Sequence, residues 1–177
     1  VHNYGTAIDA YGNATYGEVG WGDAGIIIPW NLYMMYGDTS VITEHWDSMN
    51  KYMAFLETSG GNGYAYGAKD HLNLENSTKQ PVGDLLAVAF FAWDALMMAD
   101  MANAIGDSQA AANYMSIYER EKEIFQQRFV KEDGSLTRFE QTAQLYALYL
   151  DLLPNADSVA VVTDDLVSSI EKYGNCM

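Results

Sequence analysis

Three helical stretches of this chain are apolar on most faces, and each is followed by one that carries more charge. The apolar stretches run over Ala24–Tyr36, Val82–Ile105 and Phe139–Leu153. Their more charged partners run over Thr39–Leu56, Asp107–Phe129 and Asp157–Tyr173. A helix that is hydrophobic all round has to be buried all round, whereas one with a polar face can lie outside. The alternation therefore predicts three hairpins, each with one inner and one outer helix. The repeat of about 50 to 60 residues is within reach of helical arrays and toroids. No segment makes a convincing strand. "VAVVTDDLVSS" fits a helical stripe through Val162, Leu166, Val167 and Ile170, and the glycine-rich segment from Val1 to Gly22 reads as an ordered loop.

Local signals agree with this division. Gly37 stops the first helix, and Asp38 or Thr39 is placed to cap the second. Gly106, Gly134 and Pro154 punctuate the later ones. Pro29 suits the first turn of a helix and is less comfortable deeper inside. The 177 residues are 49% hydrophobic, enough for a sizeable core in one domain. Twenty-four acids against nine Lys and Arg give a net charge of −15, which repels phosphate backbones and anionic lipid. Nucleic acid and membrane surfaces are therefore not expected partners. No uncharged run approaches the roughly 20 apolar residues of a spanning helix, and no leader pattern follows Val1. Cys176 is the single cysteine, so no internal disulfide forms and the compartment stays open between cytoplasm, periplasm and exterior.

Inner helices lying side by side would gather their N-terminal loops on one face. Those loops are Tyr11–Asp23, Gly60–Gln80 and roughly Gly134–Arg138, while the connections "YGDT" and "IGDS" are short. Long loops on one side mark it as the binding face. The first loop sets Glu18 and Asp23 around Trp21 at the start of a helix, where backbone N–H groups favour carboxylates. Asp23 can be the helix N-cap, an acid of the site, or both. Glu18 has no such structural role, and burial beside Trp21 would raise its pKa and suit it to general-acid work. Trp21 and Tyr64 are the candidate aromatic platforms for the C–H face of a sugar. In "AKDHLNLEN", Asp70 is a candidate acceptor for a sugar hydroxyl, with His71 beside it, and the lone histidine does not predict a metal site. Glu140 is either a first-turn acid or a pocket-lining one. Phosphate-binding glycine loops, HExxH and CxxC are absent, and no cofactor is expected.

"GWGDAGIIIPWNLYMMYGD" and "HWDSMNKYMAFL" resemble the catalytic domain of bacterial alpha-L-rhamnosidases, glycoside hydrolase family 78. "KDHLNLENSTKQPVGDLLAVAFFAWDALMMADMANAIG" resembles the segment that follows, with "KDH" where GDW is usual. "EQTAQLYALYLDLLP" is similar to the family's QTA-containing inner helix, and "SIEKYGN" to the segment before its histidine–leucine–serine/threonine stretch. The resemblance implies an all-α fold in which residues 1–177 form about half of an (α/α)6 toroid of twelve helices. Residues 1–23 would be an active-face loop and residues 24–177 the three hairpins, roughly the first half of the domain.

The resemblance also implies an inverting hydrolase that removes terminal alpha-L-rhamnose from a glycoside or oligosaccharide. Its acid would lie in "YGEVGWGD", with Glu18 the nearest match and Asp23 the runner-up. Its base would lie beyond Met177. Trp21 and Asp23 correspond to the GW…D motif, and Asp70 to the aspartate of GDW, with His71 in place of its tryptophan. The isolated chain is expected to be inactive, and its uncovered edge helices to meet the rest of the domain or to self-associate. Other readings are another (α/α)6 carbohydrate-active enzyme or a non-catalytic carbohydrate-binding helical scaffold.

Overall fold

The computed structural model describes residues 6–8, 14–16, 19–59 and 82–174. Six helices pair as α1 (Ala24–Tyr36) with α2 (Ser40–Ser59), α3 (Gly83–Ala104) with α4 (Ser108–Phe129), and α5 (Gln141–Tyr149) with α6 (Ala156–Lys172). Helix α3 touches both α1 and α5, so the three apolar helices lie side by side and their partners flank them. This is the inner–outer arrangement that the hydrophobic pattern predicts, an all-helical set of hairpins forming part of an (α/α)6 toroid.

The N-terminal segment departs from the sequence reading. The ordered loop expected there contains a short antiparallel ribbon, β1 (Thr6–Ile8) and β2 (Ala14–Tyr16), with Thr6 opposite Tyr16. Thr, Ile and Tyr fit a pleated strand, but three residues a side are too few to show a period of two.

Helix α3 is the centre of the core. Leu85, Phe91, Met97, Met98 and Met101 are fully buried on it. A buried side chain of this size contributes about 1.5–3 kcal/mol. Its buried alanines at 87, 89, 92, 95, 99 and 102 let neighbouring helices approach. By length and composition α3 could cross a membrane, yet 78% of the qualifying window is buried inside the fold, as befits a core helix.

The two short connections share one device. Gly37 and Gly106 have φ of 69° and 83°, a left-handed conformation that costs glycine little. The aspartate that follows each one caps the next helix. Asp38 accepts from Ser40 N–H at 2.8 Å, and Asp107 from Ala110 N–H at 2.9 Å.

Two helices differ from expectation. Helix α1 buries only Ile26 and Pro29 fully, while Ile28, Leu32, Met34, Met35 and Tyr36 are exposed. Among the described elements α1 has only α2 and α3 as neighbours, so one face stays uncovered. Pro29 sits in the helix interior and not in its first turn. Helix α5 ends at Tyr149 and not at Leu153. Leu150, Leu152 and Leu153 are buried all the same, but in a turn tucked against α4. The Tyr118 hydroxyl donates to the Leu150 carbonyl at 2.8 Å, and Gln126 Nε2 donates to that of Leu152 at 3.1 Å. Apolar residues in a buried turn give the same sequence signal as another turn of helix.

Candidate active site

The bend before α1 is fixed from inside. Val19 is buried, and Asp23 has no exposed surface. Asp23 occupies the N-cap position, but its side chain makes no capping hydrogen bond. Its carboxylate turns inward. Oδ2 accepts from the Gly20 N–H, and Oδ1 accepts from the Tyr52 hydroxyl at 3.1 Å. The capping role open in the sequence is thus not the one adopted. Gly22 makes the arrangement possible: a Cβ there would stand 2.7 Å from the Tyr52 hydroxyl oxygen and 2.9 Å from Cε2.

A second carboxyl completes the cluster. Asp94 of α3 is also without exposed surface, and it lies within hydrogen-bonding reach of Asp23. Among the described residues no donor reaches either of its oxygens. Burial, and then the charge of Asp23 beside it, push the Asp94 carboxyl well above the usual carboxylate range. The Tyr52 hydroxyl is pushed up by burial and by the charges of Asp23 and Asp94. Tyr146 of α5 is pushed up by burial, then by Asp23. Groups from the start of α1, from α2 and from α3 therefore meet at one buried polar centre, and Tyr146 of α5 feels the charge of Asp23.

Sequence reading missed Asp94 and Tyr52. Asp94 does have a signal, because a carboxyl amid "LLAVAFFAWDALMM" is too costly to bury without a partner. Tyr52 has none, since a tyrosine on a helical stripe reads as packing.

The other candidates are dispersed. Trp21 is 72% exposed, with its ring available to a ligand. Glu140 is buried in extended backbone just before α5, makes no cap bond, and neither of its oxygens has a described partner. The start of α5 is tied to α3 by Arg138, whose Nη2 donates to both oxygens of Asp84 at 2.9 and 2.8 Å. Beside it a cavity of about 320 Å³ is lined by Lys131, Arg138, Phe139, Gln144 and Lys172 among others, and neither Asp23 nor Asp94 lines it. Phe90 and Trp93 of α3 meet Tyr146 of α5 at ring separations of 5.1 and 6.2 Å. Glu18, Tyr64, Asp70 and His71 lie outside the described residues. Among the described residues no cluster of three His, Cys, Asp or Glu could hold a metal.

Residues 3–177 match the bacterial alpha-L-rhamnosidase 6 hairpin glycosidase domain. The chain belongs to this family. An alpha-L-rhamnosidase from Streptomyces avermitilis is 36% identical over 164 residues, covering 92% of this chain and 15% of its own length. One from Formosa agariphila is 31% identical over 144 residues, covering 76% of this chain and again 15% of the relative. The chain thus spans a small part of these alpha-L-rhamnosidases. The crystal structure of the Streptomyces avermitilis enzyme complexed with L-rhamnose superimposes with a TM-score of 0.80 at 34% identity, over 95% of this chain and 16% of that one. The alpha-L-rhamnosidase from Dictyoglumus thermophilum gives 0.82 at 28% identity, over 99% of this chain and 21% of that one. The hairpin order α1–α2, α3–α4, α5–α6 is thereby the hairpin order of rhamnosidase folds.

Proposed function

We propose that the full-length protein hydrolyses the bond to a terminal alpha-L-rhamnose with inversion at the anomeric carbon. The observation that carries this reading is the family match across residues 3–177. The Streptomyces avermitilis relative that was solved with L-rhamnose supports the choice of sugar.

In inverting hydrolysis an acid gives its proton to the leaving oxygen while the C–O bond breaks. Water attacks the opposite face and yields a proton to a base, the two carboxyls standing about 6.5–9.5 Å apart. Glu18 is the proposed acid. It directly precedes Val19, the first residue of the bend held by Asp23, Gly20 and Tyr52. Asp23 takes the role of anchor, because a carboxyl without exposed surface and with both oxygens bonded has no face to offer a sugar. Trp21 is the proposed stacking surface, with Tyr64, Asp70, His71 and Glu140 as further sugar contacts. The base comes from sequence outside these 177 residues, so the chain alone is expected to release no sugar.

The test is a full-length protein assayed against aryl glycosides of several sugars, with the anomer of the first product read by NMR. Preferential release of rhamnose as the inverted anomer supports the proposal. Release of another sugar, or of the retained anomer, overturns it.

A further inference from the structure

We propose that Asp94 is a positioning residue, a neutral carboxylic acid that donates its proton to Asp23 and so locks the bend from Gly20 to Asp23 in place. Both carboxyls are fully buried and face each other. Among the described residues, no cation forms an ion pair with either one. Two like charges in contact at a fully buried site cannot both persist, and one shared proton resolves the conflict.

Geometry assigns that proton. Asp23 already accepts from Gly20 N–H and from the Tyr52 hydroxyl. Asp94 accepts from no donor among the described residues. Placed on Asp94, the proton turns two orphan oxygens and a repulsion into one O–H···O bond of the short, charge-assisted kind.

The groups around the pair leave this assignment undisturbed. Tyr52 faces it from α2, Tyr146 of α5 feels the charge of Asp23, and burial keeps both in the phenol form. On α4, the charged residues Arg120 and Glu121 are bonded to each other, and Arg120 also to Glu57 of α2. Loss of the Asp94 proton would therefore place two charges in one apolar site and release Asp23 from α3. The bend would lose the tie that joins it to the central helix.

The proposal rests on the glycosidase reading only for its activity measurement. In the full-length protein, Asp94→Asn keeps the shape and a neutral N–H donor, whereas Asp94→Leu keeps the volume and removes the donor. Asp94→Asn is expected to retain kcat/KM within about threefold, and Asp94→Leu to lose about tenfold or more, the scale of one buried hydrogen bond with its orphaned partner. Independently of any substrate, the infrared spectrum at neutral pH should show the C=O stretch of a protonated carboxylic acid that disappears in Asp94→Asn. Absence of that band overturns the proposal, as does an Asp94→Asn variant as impaired as Asp94→Leu. A protein that cleaves no rhamnoside but shows the band loses the glycosidase reading and keeps the shared proton.

Discussion

Gly22 and Tyr52 are in contact through a side chain that is not there. A Cβ on Gly22 would stand 2.7 Å from the Tyr52 hydroxyl oxygen, the group that donates to Asp23 at 3.1 Å. The glycine is what lets α2 reach the carboxylate at the head of α1.

Gly22→Ala should therefore displace the Tyr52 ring and break its bond to Asp23. The expected loss is about 1–3 kcal/mol of stability, the range for overpacking a close-packed site. Combining it with Tyr52→Phe, which removes the nearest clashing atom, should cost less than the sum of the two single changes. A double-mutant cycle from denaturant unfolding checks this. Strict additivity would mean that the two residues do not act on each other.

The buried Asp94 makes stability depend on pH in a direction opposite to that of a salt-bridged carboxylate. Its folded-state pKa lies above the unfolded value, by burial and by the charge of Asp23. The stabilisation is complete below the unfolded pKa of about 4. It declines as pH rises towards the folded value, by up to ~1.4 kcal/mol per pH unit. Asp94→Asn lacks this proton. Its stability relative to wild type should therefore grow as pH is raised from about 4. Thermal midpoints of both proteins across that range measure the difference, and parallel curves would contradict it.

Glu18→Gln in the full-length protein tests the proposed proton donor. Removing a general acid should lower turnover by about 10²-fold or more while leaving sugar affinity nearly intact. The loss should shrink for aryl rhamnosides whose leaving group departs without a proton. Undiminished turnover in the variant would move the acid elsewhere.

The exposed face of α1 should behave as a contact surface in the isolated 177-residue chain. Ile28, Leu32, Met35 and Tyr36 recur at helical spacing and are between 38% and 75% exposed. Apolar stripes of this kind associate in water. Sedimentation should show a mass that rises with concentration, and Leu32→Glu with Met35→Lys should return the chain to a monomer. A wild-type chain that stays monomeric at high concentration would show the stripe to be inert.

Much of the fold was legible because its signals are local. Apolar period, capping aspartates and stop glycines act within one turn or one connection. They placed α1 at Ala24–Tyr36 and put Asp38 and Asp107 at the heads of α2 and α4. The alternation of apolar and charged helices likewise carried the hairpin pairing, since burial demand is written in composition. The resemblance to rhamnosidases rested on the same continuous motifs, which survive without any knowledge of contacts.

What the sequence could not decide was which way each side chain faces once helices meet. Asp23 had a local use as a cap and took a distant partner instead, Tyr52, 29 positions along the chain. Asp94 was one acid in an apolar helix until packing set it against that same carboxylate. The leucines after Tyr149 looked like more helix, and only the α4 side chains that hold their carbonyls made them a turn. Helix formation is settled by neighbours along the chain, whereas the pairing of buried charges is settled by neighbours in space. In a dry interior those spatial pairings decide where a proton sits.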